Sequence, residues 1–297
     1  MSLTGIKKKR LLLAILLLFF LSLGGTFFFR PPVLIVTDAS FIQLYGPARL
    51  RLNNLKTSLA LFRRLIPVIV SENAGSDLVA LAAAGAGHAR AVLFPQRYLS
   101  GALVYKEDHP QTPVLVTGKG NPLSREEQGI TFVHSDAVTD LYRAGLCAAM
   151  LTGNDKRILF FYDEVLPDEH RAAFREGLRD QGFLGDSAYI NASADYSAYS
   201  DLGCVVVAGP ASKFLEQNQK IPIILFSWAD PSMTPRAVKL MFDSSPWALV
   251  REALRPFPPP AGEIFIASEI VLFPDRIDDK KDFRKLQAIF KEKFEKK

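Results

Sequence analysis

Polar and aromatic side chains follow several of the short apolar runs that we predict to be strands. Carboxylates and amides pair with hydroxyl groups or ring nitrogens, and aromatic faces stack on a sugar ring or a base. In open α/β sheets, ligands bind outside the carboxyl ends of the strands, which is where these side chains fall. The residues that we predict to bind a small polar ligand are Asp38, Ser40, Phe41, Gln43, Asn73, Tyr162, Asp163, Trp228, Asp230 and Asp243.

Several of these residues also have a purely structural interpretation. Asp38 and Asp163 are as well placed to cap the helices that follow them as to contact a ligand. Phe41 can act as a hydrophobic staple for its helix, and Tyr162 ends an apolar run that is typical of a buried strand. Asp243 precedes two serines, and we favour an N-cap over ligand contact there. Both interpretations stay open for these residues.

Motifs for catalysis and for metal binding are weak in this sequence. It contains neither a G-x-S-x-G nucleophile elbow nor a Walker A lysine loop, and its four histidines are scattered without the spacing of metal ligands. A general-base role for His134, which ends a predicted strand, is the least favoured hypothesis. Cys147 and Cys204 are expected to be small buried apolar residues, although a disulfide between them stays open. We predict no catalytic residue, no metal and no cofactor.

The positive charge is concentrated at the two ends of the chain. The net charge is +5, but residues 7–10 contribute +4 and residues 276–297 another +4, so the intervening chain carries −3. A nucleic-acid-binding domain needs a basic face on its folded body. The charge distribution therefore argues against DNA or RNA as a partner.

The N-terminal residues 1–30 are predicted to lie outside the folded body. A basic cluster precedes LLLAILLLFFLSLGGTFFF, which holds no charge from Leu11 to Phe29 and is about long enough to span a bilayer. The basic flank places the N-terminus in the cytoplasm and the body on the other side of the membrane. We favour an uncleaved anchor over a cleaved signal peptide, because the apolar run continues past a poor cleavage site at its two glycines. Cleavage would leave the body in the periplasm.

Strands and helices alternate through the body of the chain. The stretch of residues 130–183 shows the pattern clearly, as strand, helix, strand and helix. Other strands are predicted at residues 33–36, 66–70, 91–94, 114–117, 188–190, 204–208, 223–226, 238–242 and 264–267. Short apolar strands that alternate with helices predict an α/β fold with parallel, doubly wound sheets. Residues 276–297 are predicted to form a basic amphipathic helix.

The order of these elements resembles the type I periplasmic binding protein superfamily, which includes sugar- and nucleoside-binding proteins of ABC importers. AFREGLRDQGF (residues 173–183) resembles a helix of the second lobe, and SDAVTDLYRAGLCAAML (residues 135–151) resembles the helix after the first crossover. IPIILFSWADPS (residues 221–232) resembles the strand and loop that close the second lobe. VKLMFDSSPWALVREAL (residues 238–254) resembles the return strand and the helix that rejoins the first lobe.

The resemblance implies two Rossmann-like lobes with parallel sheets, joined by a hinge, that close on a ligand. The expected first lobe is residues 31–128 plus 236–262, and the expected second lobe is residues 129–235 plus 263–275. The implied function is an extracytoplasmic, membrane-anchored solute-binding protein or sensor for a sugar or nucleoside, whose partner would be an ABC permease or a sensor protein. Two alternatives remain: a membrane-anchored Rossmann-like enzyme, such as a glycosyltransferase or hydrolase, and a structural relative that binds nothing.

Overall fold

The computed structural model divides the chain into two compact units. It describes residues 25–118, 129–152, 156–162, 166–191, 201–209, 221–229 and 237–273, together with Tyr199, Arg284 and Ala288. The first unit contains Met1–Val133 and Val250–Ile264, and the second contains His134–Leu249 and Phe265–Lys297. The chain therefore passes from one unit to the other three times.

The first unit is built on a six-stranded sheet. Its strands are β1 (Val33–Thr37), β2 (Leu65–Ile69), β3 (Ala91–Pro95), β4 (Val114–Thr117), β5 (Ile130–Ser135) and β11 (Gly262–Ile266). The strand order is β11-β5-β4-β3-β1-β2, and the pairs from β5 to β2 are all parallel. β1 is buried throughout, as its unbroken apolar run predicts.

Four helices accompany the described strands of the first unit. They are α1 (Ala39–Tyr45), α2 (Pro47–Leu61), α3 (Ser76–Gly85) and α4 (Leu99–Asp108), and the 3-10 turn Gln96–Tyr98 leads into α4. Gly46 separates α1 from α2 with a φ of 73°, a conformation that glycine adopts without strain, and Pro47 then starts α2. The carboxyl ends of β1 and β3 each lead directly into one of these turns or helices.

The second unit contains a second six-stranded sheet. Its strands are β6 (Arg157–Tyr162), β7 (Ser187–Asn191), β8 (Leu202–Val207), β9 (Ile223–Phe226), β10 (Val238–Asp243) and β12 (Glu269–Leu272). The order is β12-β10-β9-β8-β6-β7, in which β12 runs antiparallel to β10 and the other pairs are parallel. The helices among the described residues of this unit are α5 (Ala137–Leu151), α6 (Asp168–Asp180) and α7 (Pro246–Ala253), which continues into the first unit.

Two glycines allow α5 and α6 to pack backbone against backbone. A Cβ added to Gly145 would collide with the carbonyl oxygen of Phe174, and one added to Gly177 would collide with that of Tyr142. The helices therefore approach each other more closely than any side chain would permit. Asp136 caps α5 by accepting a 3.1 Å hydrogen bond from the Thr139 amide.

The α/β fold class with two mainly parallel sheets is confirmed, but three strands differ from their predicted lobes. β5 and β11 belong to the first sheet, and β10 pairs with β9 in the second, whereas the predicted boundaries at residues 129, 236 and 263 assign them the other way. Strand partners depend on long-range register, which a local apolar pattern does not contain. Helix α4 and strand β12 were not predicted at all.

The predicted N-terminal anchor lies mostly outside the described residues. Within the described part of the chain, no helix combines the length and the apolar character needed to cross a membrane. Residues 25–29 form a short helix that precedes β1. The predicted C-terminal helix of residues 276–297 also lies outside the described residues, apart from Arg284 and Ala288, so both predictions stay untested.

Candidate ligand-binding site

Asp38 follows β1 directly and caps α1. Its carboxylate is completely buried, and Oδ1 accepts hydrogen bonds from the Phe41 amide (2.9 Å) and the Ser40 hydroxyl (2.8 Å). An aspartate at this position satisfies amide groups that have no partner within the helix. Of the two interpretations of Asp38, the structure therefore shows the capping role.

The other oxygen of Asp38 is occupied by residues that follow β3. Oδ2 accepts a 2.6 Å hydrogen bond from the Tyr98 hydroxyl and forms an ion pair with the Arg97 guanidinium. An ionised carboxylate offers about four lone-pair sites. Four donors therefore fill the acceptor capacity of Asp38, and in this conformation Asp38 positions other groups instead of presenting its own oxygens.

Arg97 is the charged group that this arrangement presents to solvent. Its side chain is 42% exposed, Nη1 and Nη2 each lie 3.1 Å from the Ser40 hydroxyl oxygen, and the guanidinium lies 5.0 Å from the centre of the Tyr98 ring. Arginine carries five N–H donors. The contacts within the described part of the chain use three of them, which leaves two for an incoming acceptor.

Tyr98 joins three neighbouring loops of the first sheet. Its buried hydroxyl lies 2.6 Å from Asp38 Oδ2 after β1 and 3.4 Å from the Ser71 carbonyl oxygen after β2, while Tyr98 itself follows β3. The pKa of the Tyr98 phenol is raised, mainly by burial. The hydroxyl therefore keeps its proton and acts as a hydrogen-bond donor. Since β2, β1 and β3 are adjacent strands, this contact holds one edge of the sheet in a fixed shape.

The remaining predicted residues of the first unit are Gln43, Asn73 and Phe41. Gln43 is exposed on α1, and Asn73 is exposed in the loop between β2 and α3. Phe41 is half-buried, and its ring centre lies 4.8 Å from that of Tyr45, one turn further along α1. This contact fits the stapling role considered for Phe41, and no finding tests ligand contact by any of the three.

Trp228 lies at the carboxyl edge of the second sheet, directly beyond β9. Its indole Nε1 donates a 3.1 Å hydrogen bond to the Ala208 carbonyl after β8, and its ring centre lies 4.4 Å from that of Phe226. The side chain is nevertheless 41% exposed. A ring that is held at one edge and on one side while the rest meets solvent is suited to stacking on a flat apolar surface of a ligand.

Asp243 and the serines that follow it have a structural role in the same unit. Asp243 is buried, and its Oδ1 accepts a 2.9 Å hydrogen bond from the Ser245 amide. The Ser245 carbonyl in turn accepts the Leu249 amide of α7, and the Ser244 amide donates to the Ser227 hydroxyl (3.0 Å). The favoured interpretation of Asp243, as part of a helix start, matches this geometry.

Of the three other predicted residues of the second unit, the structure describes Tyr162. Tyr162 ends β6 and packs against the hydrophobic core of the unit, which agrees with the structural interpretation of this residue. Asp163 and Asp230 lie outside the described residues. So do Lys119 and Asn121, two polar residues that follow β4 in the sequence.

Among the described residues, no group of three or more His, Cys, Asp or Glu side chains could hold a metal ion. The His134 ring stacks on Phe265, with 5.1 Å between ring centres. Cys147 and Cys204 are free and completely buried, which confirms the prediction that they serve as small apolar residues.

Arg97 and Tyr98 are the site residues that the sequence prediction missed. Both follow the apolar run of β3 in the sequence FPQRY, so the rule used for the other candidates applies to them equally. The strand at residues 91–94 was predicted, but the residues that follow it were not included among the candidates. The structure shows a polar cluster there, made of Asp38, Ser40, Arg97 and Tyr98, which we call the β1/β3 cluster.

Neither a protein-family model nor a curated protein sequence matches the chain. Solved structures do resemble it. A solute-binding protein of an ABC transporter system from Conexibacter woesei has a TM-score of 0.58 at 12% identity, covering 88% of this chain and 95% of its own. A transcriptional activator of the comK gene from Bacillus halodurans has a TM-score of 0.55 at 9% identity, with 89% and 98% covered.

A third similar structure contains a ligand. It is the periplasmic solute-binding protein of an ABC transporter from Actinobacillus succinogenes with bound D-allose, which has a TM-score of 0.52 at 10% identity and covers 84% of this chain and 100% of its own. Identities this low establish the fold alone. Taken with the two parallel sheets, they confirm the resemblance drawn from the order of elements: the chain has the fold of the type I periplasmic binding proteins.

Proposed function

We propose that this protein is a solute-binding protein or sensor that binds a small polar molecule, with a sugar or nucleoside as the favoured class. The observation that carries the proposal is the β1/β3 cluster, in which a buried carboxylate holds a half-exposed arginine at the carboxyl edge of the first sheet. This edge is where open α/β sheets bind ligands.

The charge of the cluster supports a neutral ligand over an anion. Asp38 balances the charge of Arg97, so the cluster offers N–H donors with no net positive charge. Hydroxyl and carbonyl oxygens of a sugar or base accept such hydrogen bonds. The D-allose bound by the protein from Actinobacillus succinogenes is a neutral molecule of this chemistry, which agrees with the proposal.

Trp228 provides a second supporting observation in the other unit. Its anchored and partly exposed indole suits the apolar face of a sugar ring or the flat face of a base. Anchoring of the body to a membrane by the N-terminal segment and cooperation with a permease or sensor partner are further parts of the proposal. The predicted closure of two lobes on the ligand stays a prediction.

A thermal-shift screen of the purified protein tests this function. Sugars, including D-allose, and nucleosides would be added at millimolar concentration, with amino acids as a comparison class. Saturation by a true ligand adds roughly 2–4 kcal/mol to the free energy of unfolding, which is easily seen as a higher melting temperature. Stabilisation by one of the first two classes is expected, and mass spectrometry of molecules that co-purify identifies the compound.

The screen also identifies failure. If no compound raises the melting temperature and nothing co-purifies, the binding function is contradicted. If only amino acids stabilise the protein, a solute-binding role survives but the proposed ligand class is wrong.

A further inference from the structure

Helix α2 turns an apolar face towards solvent. Leu52, Leu55 and Leu59 recur at spacings of three and four residues, so they share one side of the helix, and they are 64%, 58% and 63% exposed. Helices of soluble proteins normally bury such a stripe against the core. The outward stripe of α2 therefore requires an explanation.

The opposite side of α2 is attached by polar contacts. Its buried residues are Thr57 and Ser58. The Thr57 hydroxyl accepts a 3.0 Å hydrogen bond from Arg251, and the Ser58 hydroxyl accepts one of 2.9 Å from the Leu65 amide. These bonds fix the rotation of α2 about its axis, so the three leucines stay outside in the folded unit.

Basic residues border the leucine stripe. Between Ala39 and Ser71 the chain contains five Lys and Arg residues and no Asp or Glu. At 100° per residue, Arg49 and Lys56 lie on one side of the stripe and Arg51 on the other. A leucine stripe between rows of basic residues is the pattern of helices that lie in the interface of a membrane.

This charge pattern decides between two occupants of the face. A second copy of the chain would bring the same basic residues against one another, and like charges at close range are unfavourable. Anionic lipid headgroups attract basic residues, while the hydrocarbon boundary accepts leucine side chains. The complementary partner is therefore an anionic lipid surface.

The position of α2 along the chain agrees with this partner. Residues 25–29 form a short helix, and the Phe27 ring centre lies 5.7 Å from that of Phe62, which ends α2. Phe28 and Phe29 in this short helix are 62% and 91% exposed. Residues 25–29, which end the apolar N-terminal stretch of the sequence, thus lie beside the end of α2.

We propose that the outward face of α2, made of Leu52, Leu55 and Leu59 with Arg49, Arg51 and Lys56 at its borders, binds the surface of an anionic lipid bilayer. The contact orients the first unit on the membrane. It goes beyond the proposed ligand-binding function and can fail independently of it.

Site-specific fluorescence on the full chain in vesicles tests the contact. One variant carries Leu55→Cys, and the matched control carries Leu81→Cys on α3, where the native leucine is equally exposed (67%) and the first turn contains acidic Asp77. The native cysteines are completely buried and stay unlabelled in the folded protein. A fluorescent label is attached to the introduced cysteine, and a nitroxide carried by the lipid quenches its fluorescence if the label lies at the bilayer surface.

Strong quenching at position 55 is expected in vesicles of phosphatidylcholine with phosphatidylglycerol, with weaker quenching in phosphatidylcholine alone and little at position 81 in either. Quenching at position 55 no greater than at position 81 overturns the proposal. Energy transfer between labels at position 55 of two copies, without quenching by lipid, also overturns it and shows a protein interface instead.

Removal of the basic border provides an independent test. The triple change Arg49→Gln, Arg51→Gln and Lys56→Gln keeps good helix formers and leaves Thr57 and Ser58 in place. Each basic residue near an anionic surface stabilises the bound state. Loss of all three should therefore lower the ratio of membrane-bound to unbound α2 face by up to about a hundredfold. Unchanged quenching of the position-55 label in this background contradicts the role of the basic residues.

Discussion

The Tyr98 hydroxyl donates a 2.6 Å hydrogen bond to Oδ2 of Asp38, and both side chains are buried. This bond joins the turn after β3 to the loop after β1. Because it lies away from water and its acceptor is charged, it is stronger than an exposed hydrogen bond. It keeps Asp38 in the position from which the carboxylate holds Arg97.

Replacement of Tyr98 by phenylalanine should destabilise the protein. Tyr98→Phe leaves a buried carboxylate oxygen with one donor fewer, so we expect the free energy of unfolding to fall by about 1.5–3 kcal/mol in urea denaturation. The control is Tyr142→Phe, which removes an exposed 2.8 Å hydrogen bond to Asp180. Its cost should stay below about 1 kcal/mol, and equal losses in the two variants would contradict the buried role of Tyr98.

Asp140 should make stability depend on pH in mildly acidic solution. This completely buried carboxylate accepts hydrogen bonds from the Ser268 amide (2.8 Å) and hydroxyl (2.5 Å). Nη1 of Arg143 lies 3.6 Å from its Oδ1. Burial is the largest influence and raises the pKa of Asp140 to about 6, with the nearby Asp136 charge adding to it. The ordinary pKa of an aspartate in an unfolded chain is about 3.9.

At pH values between these two pKa values, the folded state binds more protons at Asp140 than the unfolded state does. The free energy of unfolding should therefore fall as the pH rises from about 4 to about 6 and then level off, with an amplitude on the order of 3 kcal/mol from this residue. Asp140→Asn keeps an oxygen that can accept the Ser268 amide and should lose this dependence. Parallel stability curves for the two proteins across this pH range would show that Asp140 does not titrate as described.

The contact between Gly145 and Gly177 predicts that neither glycine tolerates a side chain. In Gly177→Ala the new methyl group collides with the Tyr142 carbonyl, and in Gly145→Ala with that of Phe174. Backbone atoms of two packed helices cannot move aside cheaply, so we expect each change to cost about 1–3 kcal/mol or more. Melting temperatures measure the loss.

Gly85→Ala is the matched control for these substitutions. Gly85 is the last residue of α3, and a Cβ there would meet nothing within 4 Å. Since alanine is the better helix former, this variant should be neutral or gain up to about 1 kcal/mol. A similar loss in all three glycine variants would mean that the packing of α5 on α6 is not the cause.

The two cysteines should be unreactive in the folded protein. Burial raises the pKa of the Cys147 thiol to about 12 and raises the pKa of Cys204 in the same direction, so almost no reactive thiolate forms at neutral pH. Thiol reagents should modify both residues only as fast as the protein unfolds. Rapid labelling of the native protein would contradict their buried position.

The sequence patterns predicted most strands and helices, because buried parallel strands are nearly continuous apolar runs. β4 and β9 have the predicted bounds, residues 114–117 and 223–226. Helix α4, with the sequence LSGALVYKED, was missed because apolar and polar residues are distributed around it without a clear stripe. The predicted sheet membership of β5, β10 and β11 was wrong because both sheets contain similar apolar strands.

The candidate site was predictable only in part. Strand ends indicated Asp38, Ser40 and Trp228, since a polar or aromatic residue directly after an apolar run is visible in the sequence. The pairing of Asp38 with Arg97 was not predictable, because 59 positions separate them and only the order β3-β1 in the sheet brings them together. Which lone pairs of Asp38 are occupied is likewise a property of the folded chain.

The affinity of the Arg97→Gln variant for the compound identified by the thermal screen tests the account most directly. Calorimetric titration should show binding weakened by about 10- to 100-fold, because hydrogen bonds from a charged donor are lost, while the control Arg255→Gln, which removes an exposed charge outside the β1/β3 cluster, should bind like the unaltered protein. If folded Arg97→Gln binds as tightly as the unaltered protein, the β1/β3 cluster is not the ligand site.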